Sequence, residues 1–320
     1  MRRILLFAVI SLLFFSFSSA WAQKTVRLSI ATGGTGGVYY PMGGGMANIL
    51  SKYIPYLEAT AEVTTASVDN CLLVGKGKAE LAFTMADTAW DAFQGRAQFK
   101  EKIPLRTVVV LYPNNMHVVT VEGKGIEKIT DLKGKRVSTG APGSGTEVMA
   151  LRVLEAFGLD PNKDMTRDKL SVSESAGALK DGKIDAFFWV GGLPTAALTD
   201  LGATPGVKMK LISHADAVPK MREKHGPLYV KGVIPAKTYP GQGSDISIAV
   251  VWNLLICAEN MKENIVYDVV KTLFDHKPEI VATHREASNL LLEHQAGGGS
   301  PIPFHPGAIR YFTEKGLKIK

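Results

Sequence analysis

The chain has 320 residues, 46% of them hydrophobic and 21% charged, with a net charge of +7. At roughly 150 residues per domain this is material for about two domains with a sizeable core, which excludes a mainly disordered chain. Two cysteines are too few for a disulfide scaffold and match no zinc spacing, and the scattered Lys and Arg, without basic runs interleaved with aromatics, exclude a nucleic-acid partner.

In chain order, Arg2 and Arg3 precede an apolar run, Ile4 to Phe17, shorter than the roughly 20 residues a bilayer span needs. Ala20 and Ala22 follow in the small-residue pattern of a cleaved leader, so residues 1–22 read as a signal peptide and Gln23 as the start of a mature periplasmic chain. No cysteine marks a lipid anchor at the cleavage point.

From Arg27 to Gly37, RLSIATGGTGG reads as a short strand running into a glycine-rich turn, and MGGGMANILSKY follows from Met42 with a helical pattern. VTTASVDNCLLV reads as a strand and a polar turn entering a helix. GKAELAF, Gly77 to Phe83, reads as a glycine stop and a new buried strand. VVVLYPNNMHVVTV, Val108 to Val121, looks extended. The series then repeats. RVSTGAPGSGT, Arg136 to Thr146, enters the helical EVMALRVLEAFG from Glu147; KLSVSESAGALK and GKIDAFF, Gly182 to Phe188, follow. The copies align at one offset, Arg27 with Arg136, Ser29 with Ser138, Gly34 with Gly143, Thr35 with Ser144 and Gly36 with Gly145. ISIAVVWNLLICA, Ile246 to Ala258, is a second extended stretch, and NIVYDVVKTLFD and HREASNLLLEHQ close the chain as helices.

Strands alternating with helices across short loops specify parallel α/β units. Two echoes in the same order specify two related lobes with a ligand cleft between them, because loops at the carboxyl ends of parallel strands converge on one crevice. The expected division is residues 23–115 with 251–320 for lobe 1 and 116–250 for lobe 2, the connections lying near 108–121 and 246–258.

GAPGSGT lacks the lysine of a phosphate loop, since Thr146 stands in its place. ATGGTGG has Tyr39 where a dinucleotide fingerprint needs its third glycine. PGSGT lacks the flanking glycines of a nucleophile elbow, and the seven histidines are dispersed without metal-ligand spacing. The reading is of a protein that is not an enzyme and carries no cofactor or metal. Glycine-rich turns at helix starts instead expose backbone N–H groups and the positive dipole end, which suit a small anion. Thr35, Ser144 and Thr146 add hydroxyls that bind a ligand or cap their helices. Tyr39 and Tyr40 offer an aromatic wall and a hydroxyl or pack in the core. Ser67 and Asn70 sit in the second polar turn, Asp87 takes a ligand ammonium or starts a helix, and Gly191 permits close backbone approach. Cys71 and Cys257 are either paired or two buried thiols.

SIATGGTGGVYYPMGGGMANIL, GKAELAFTMADTAW, LKGKRVSTGAPGSGTE, KIDAFFWVGGLPTAA and HPGAIRYFTEKG together resemble the TAXI family, the periplasmic solute-binding subunits of TRAP transporters. The resemblance spans essentially the whole mature chain. It implies a type II periplasmic-binding-protein fold, a monomer delivering a small carboxylate or amino acid (glutamate-like or a dicarboxylate) to integral membrane subunits, and ion-driven uptake. It places ligand contacts on Thr35, Gly36, Tyr39, Ser144, Gly145 and Thr146, and on Ser67, Asn70 and Gly191. No cleft arginine of the kind that clamps carboxylates in other TRAP receptors is identifiable, so backbone and hydroxyl donors do that work. The alternatives are an ABC-type receptor for an aromatic or sulfur-containing solute, sharing the fold, and an exported hydrolase, for which no nucleophile–base pair can be nominated.

Overall fold

The computed structural model describes residues 25–319; the leader expected at residues 1–22 lies outside them. The first series comprises β1 (Val26–Ala31), α1 (Tyr39–Tyr53), β2 (Leu57–Glu62), α2 (Ser67–Gly75), β3 (Leu81–Met85) and α3 (Ala86–Gln94). A long strand, β4 (Leu105–Val121), follows. The second series is β5 (Arg136–Ser138), α4 (Gly145–Ala156), β6 (Thr166–Asp168), α5 (Val172–Lys180), β7 (Ala186–Gly191) and α6 (Ala196–Ala203). Then come β8 (Met209–Leu211), α7 (Val218–His225), β9 (Val230–Ile234) and the second long strand, β10 (Ile246–Ala258). The helices α8 (Glu263–Asp275), α9 (Lys277–Val281), α10 (Leu292–Ala296) and α11 (Pro306–Glu314) end the chain.

The strand order is β2-β1-β3-β10-β4-β7-β5-β6. Both outer trios are parallel, as the βα alternation requires, and the antiparallel pair β10–β4 runs between them. Near its start β4 pairs the end of β10, Leu105 opposite Ala258, and farther on it pairs β7, Asn115 opposite Gly191. The long pair therefore links the two trios, β10 through β3 of the first and β4 through β7 of the second. This is the mixed α/β, two-lobed architecture of a type II periplasmic binding protein.

Local chemistry explains the repeated punctuation. Gly77 and Gly182 both adopt positive φ, 64° and 70°, where a helix ends and the chain turns into β3 or β7. Ser171 and Glu174 form a capping box that starts α5. The helix α1 starts at Tyr39, earlier than Met42, and tolerates Gly43 because a Cβ there would lie 2.5 Å from Thr32 Cγ2. The glycine lets α1 rest on the end of β1.

Strand β10 is buried along most of its length, and β4 more so, which is why both read as apolar runs. The C-terminal helices pack back on the first series: α8 contacts α1, and Gln295 in α10 exchanges hydrogen bonds with Val110 of β4 at 2.8 and 2.9 Å. Cys71 in α2 and Cys257 in β10 are both free and buried. Burial pushes both thiols up to about 12, so they are protonated and inert at neutral pH.

Candidate ligand-binding cleft

A cavity of about 360 Å³ lies at the carboxyl ends of the parallel strands, where a doubly wound sheet places its ligand. Its walls are the loops after β1 (33–38), β2 (63–66), β5 (140–144) and β6 (170–171), with the end of β7 (188–191). Four helices, α1, α2, α4 and α5, begin on it. The N–H groups of Gly36, Tyr39, Gly145 and Thr146 have no acceptor among the described residues. Those of Val68 and Asp69 at the start of α2 donate to the carbonyl of Gly143, at 3.1 and 3.2 Å. That bond joins the two series directly across the cleft.

The glycines mark how closely the walls meet. A Cβ on Gly36 would lie 2.1 Å from Ser173 Oγ, one on Gly37 2.9 Å from Trp189, and one on Gly145 2.6 Å from Ser67 Oγ. Gly191 is confined in the same way, 2.4 Å from the Trp189 indole nitrogen. Side chains at these positions would fill the space or hold the walls apart.

Thr35, Gly36, Tyr39, Ser67, Ser144, Gly145, Thr146 and Gly191 all line the cavity. Thr35 is exposed at the rim, and Tyr40 points outward. The buried hydroxyls do two things at once. Ser144 Oγ accepts from Glu147 N at 3.1 Å and caps α4; Thr146 Oγ1 accepts from Val190 N at 3.2 Å; Ser67 Oγ accepts from Met85 N at 3.3 Å. A hydroxyl that accepts still has its proton to donate. Tyr39 forms wall rather than a free donor: its hydroxyl donates to Asn253 Oδ1 at 2.5 Å, and burial raises its pKa.

Two expected ligand residues lie elsewhere. Asn70 does not line the cavity. Its Nδ2 donates to the carbonyls of Thr32 and Phe83, both at 2.7 Å, and its Oδ1 accepts from Thr64 at 2.6 Å. The amide ties α2 to β1 and β3 and has nothing left for a ligand. Asp87 is buried behind the cavity, where its carboxylate accepts from Thr88 N at 2.8 Å, Arg152 Nη1 at 2.9 Å and Tyr229 Oη at 2.7 Å. An arginine in α4 occupies the place assigned to a ligand ammonium. Arg152 also pairs with Asp91, so one guanidinium of α4 binds two carboxylates of α3, and Arg96, just beyond α3, holds Asp91 at 2.6 Å from the other side.

Sequence reasoning missed the floor. It consists of Met85 with Tyr112 and Asn114 of β4. Asn114 Nδ2 donates to Asn253 Oδ1 at 2.9 Å, while Tyr112 Oη and Asn114 Oδ1 have no hydrogen-bond partner among the described residues. The signal was the polar YPNN inside an otherwise apolar strand. Among the described residues no lysine or arginine lines the cavity, and the one charged lining residue is Glu174, whose carboxylate accepts from Ser171 N at 2.8 Å.

The model of the NMT1-like family matches residues 30–316. The chain belongs to the NMT1-like family. Among solved structures, the alkanesulfonate-binding protein SsuA from Xanthomonas axonopodis pv. citri, bound to MOPS, is 15% identical with a TM-score of 0.50, over 91% of this chain and 84% of that one. A putative L-cystine ABC transporter protein from Listeria monocytogenes is 15% identical with a TM-score of 0.49, over 83% of this chain and 95% of that one. The first of these likenesses supports the fold described above.

Proposed function

We propose that this chain is an exported solute receptor whose two lobes, residues 23–115 with 251–320 and residues 116–250, close on a small organic anion or amino acid and deliver it to integral membrane subunits. The observation that carries this is the convergence of four helix starts, two from each series, on one 360 Å³ cavity. Free N–H groups and helix dipoles from both sides make an anion site without a cationic side chain. The strands β4 and β10 cross between the lobes and act as the hinge, and closure is a shift in population that the ligand stabilises. Native mass spectrometry of the purified mature protein tests the reading: a small organic acid retained by the folded chain and lost on unfolding supports it. Failure to retain or bind any anion in a thermal-shift screen of carboxylates, amino acids and sulfonates contradicts it.

Two transporter classes fit such a receptor. An ABC-type receptor for a sulfur-containing solute draws support from membership of the NMT1-like family and from likeness to an alkanesulfonate-binding protein. A TRAP-type receptor of the TAXI kind rests on the motifs in residues 29–50, 77–90, 132–147, 183–197 and 305–316. We favour the ABC-type reading. An ATPase gene beside the coding sequence would support it, and a fused pair of large and small membrane subunits would support the other.

A further inference from the structure

The walls and the floor of the cavity differ in chemistry, and the difference defines a ligand class. The walls present N–H groups of Gly36, Tyr39, Gly145 and Thr146 and the hydroxyls of Ser67 and Ser144, donors suited to one anionic head. The floor is different. Tyr112 and Asn114 are 0% and 2% exposed, line the cavity, and leave Oη and Oδ1 without a partner among the described residues. Residues two apart on a strand share a face, so both groups address the same space. A buried polar atom without a partner is costly, and two of them side by side in a cavity are satisfied together by a polar group that enters it.

That group is uncharged. Among the described residues no lysine or arginine lines the cavity to balance a second anion, and Glu174 places a carboxylate at its edge. A further carboxylate, Glu286, is buried beside the floor: a Cβ on Gly192 would lie 2.6 Å from Glu286 Cγ and 3.1 Å from the Tyr112 ring. A second anionic group on the floor would be desolvated beside that carboxylate, with no cation among the described residues lining the cavity. Resting on the receptor reading above, we propose that the cleft selects singly charged organic anions, carboxylates or sulfonates, whose far end carries a neutral hydrogen-bonding group such as an amide or hydroxyl, that it rejects dianions, and that Tyr112 and Asn114 determine this specificity.

Calorimetric titration of the mature protein, freed of bound solute by unfolding and refolding, tests this with matched pairs: succinamate against succinate, glutaramate against glutarate, and 2-hydroxyethanesulfonate against sulfoacetate. The singly charged member of at least one pair should bind about tenfold or more tightly than its dianion, the scale of a buried hydrogen bond, and the pair that binds identifies the head group. Tyr112→Phe and Asn114→Leu should each reduce that preference at least about threefold. Free Tyr112→Phe should unfold at the same or a higher temperature, since its hydroxyl has no protein partner, which separates ligand recognition from a structural role. Dianions binding as tightly as their partners, or a preference unchanged in both variants, overturns the inference and leaves the receptor reading intact. Binding by none of the six, with no solute retained from the cell and no hit in the thermal-shift screen, overturns the receptor reading and this inference with it. If none of the six binds but a solute is retained or a screened compound binds, its identity decides, a dianion overturning the inference and a monoanion with a neutral polar end supporting it.

Discussion

Arg152→Met removes the guanidinium that joins α3 to α4. Its Nη1 donates to Asp87 at 2.9 Å and to Tyr229 at 2.5 Å, and its Nη2 to Asp91. Burial opposes the charge, but Asp87, Tyr229 and Asp91 more than offset it and hold the pKa above its ordinary value. Without Arg152 two buried carboxylates lose their shared cation. Breaking a buried pair from one side costs about 3–5 kcal/mol. Here Asp91 keeps Arg96 at 2.6 Å, and Asp87 keeps Tyr229 at 2.7 Å and Thr88 N at 2.8 Å. The cost should therefore fall near the lower bound, about 3 kcal/mol. At about 2–3 °C per kcal/mol for a chain of this size, the midpoint at pH 7 should drop by about 6–9 °C. Asp87→Asn combined with Arg152→Met should cost less than the two single changes added, by about 1 kcal/mol or more, because the double variant no longer buries that unpaired charge. Since the cluster spans the two proposed lobes, ligand affinity should fall as the closed population falls. A midpoint within 2 °C of the parent, or strict additivity, would refute the claim that these charges bind α3 to α4.

Ser144→Ala removes the α4 cap and a cavity hydroxyl; it should cost about 1 kcal/mol in thermal unfolding and weaken anion binding about tenfold in calorimetry, unchanged values in both assays counting against the assignment. Gly145→Ala puts a Cβ 2.6 Å from Ser67 Oγ and 2.7 Å from Met85 Sδ, so it should cost about 1–3 kcal/mol through overpacking and abolish measurable binding, whereas retained affinity would show that the walls have slack. Cys71 and Cys257, raised to about 12 by burial, should ignore a thiol reagent in the native protein and react on unfolding; rapid native labelling would contradict their burial. Burial lowers His117 to about 3 and His214 to about 4 from 6.5. Stability from these two is fully present above pH 6.5 and lost as pH falls, by up to about 2.7 kcal/mol per unit between pH 6 and 4, because the unfolded chain binds two more protons. Glu286, raised by burial, opposes this by at most one proton, so the urea midpoint should be lower at pH 5 than at pH 7, and a higher one would reverse the sign.

The two series were legible because each element announces itself locally. Gly77 and Gly182 end helices at positive φ, and Ser144 and Ser171 cap the helices they precede. Local signals report chemistry that a residue and its neighbours complete between them. Asp87 and Asn70 show where that fails. The partner that occupies Asp87 is 65 residues away in sequence, and the carbonyls that occupy Asn70 belong to β1 and β3. A polar residue at the end of a strand looks the same whether its hydrogen bonds go to a ligand or to the fold, and only the packed structure says which are already made.

The floor was hidden for a different reason. The alternation along β4 does put Tyr112 and Asn114 on one face and Pro113 and Asn115 on the other, but which face meets the cleft depends on the strand beside it. Pairing between β10 and β4 shifts register between Trp252 and Leu254. Between those pairs Leu111 and Tyr112 of β4 face the single Asn253 of β10, so the extra residue lies on β4, and such a bulge re-aims a side chain. Asn253, opposite Met85 of β3, accepts from both Tyr39 and Asn114, so the residue that faces the bulge also holds the amide of the floor. The walls of the cavity thus come from loops at helix starts, and the floor from Met85 at the end of β3 and from Tyr112 and Asn114 in β4. A ligand head held by loops and a ligand tail read by strands divides capture from selection: changes in the loops should alter affinity for all anions together, whereas changes at Tyr112 and Asn114 should alter the ranking among them.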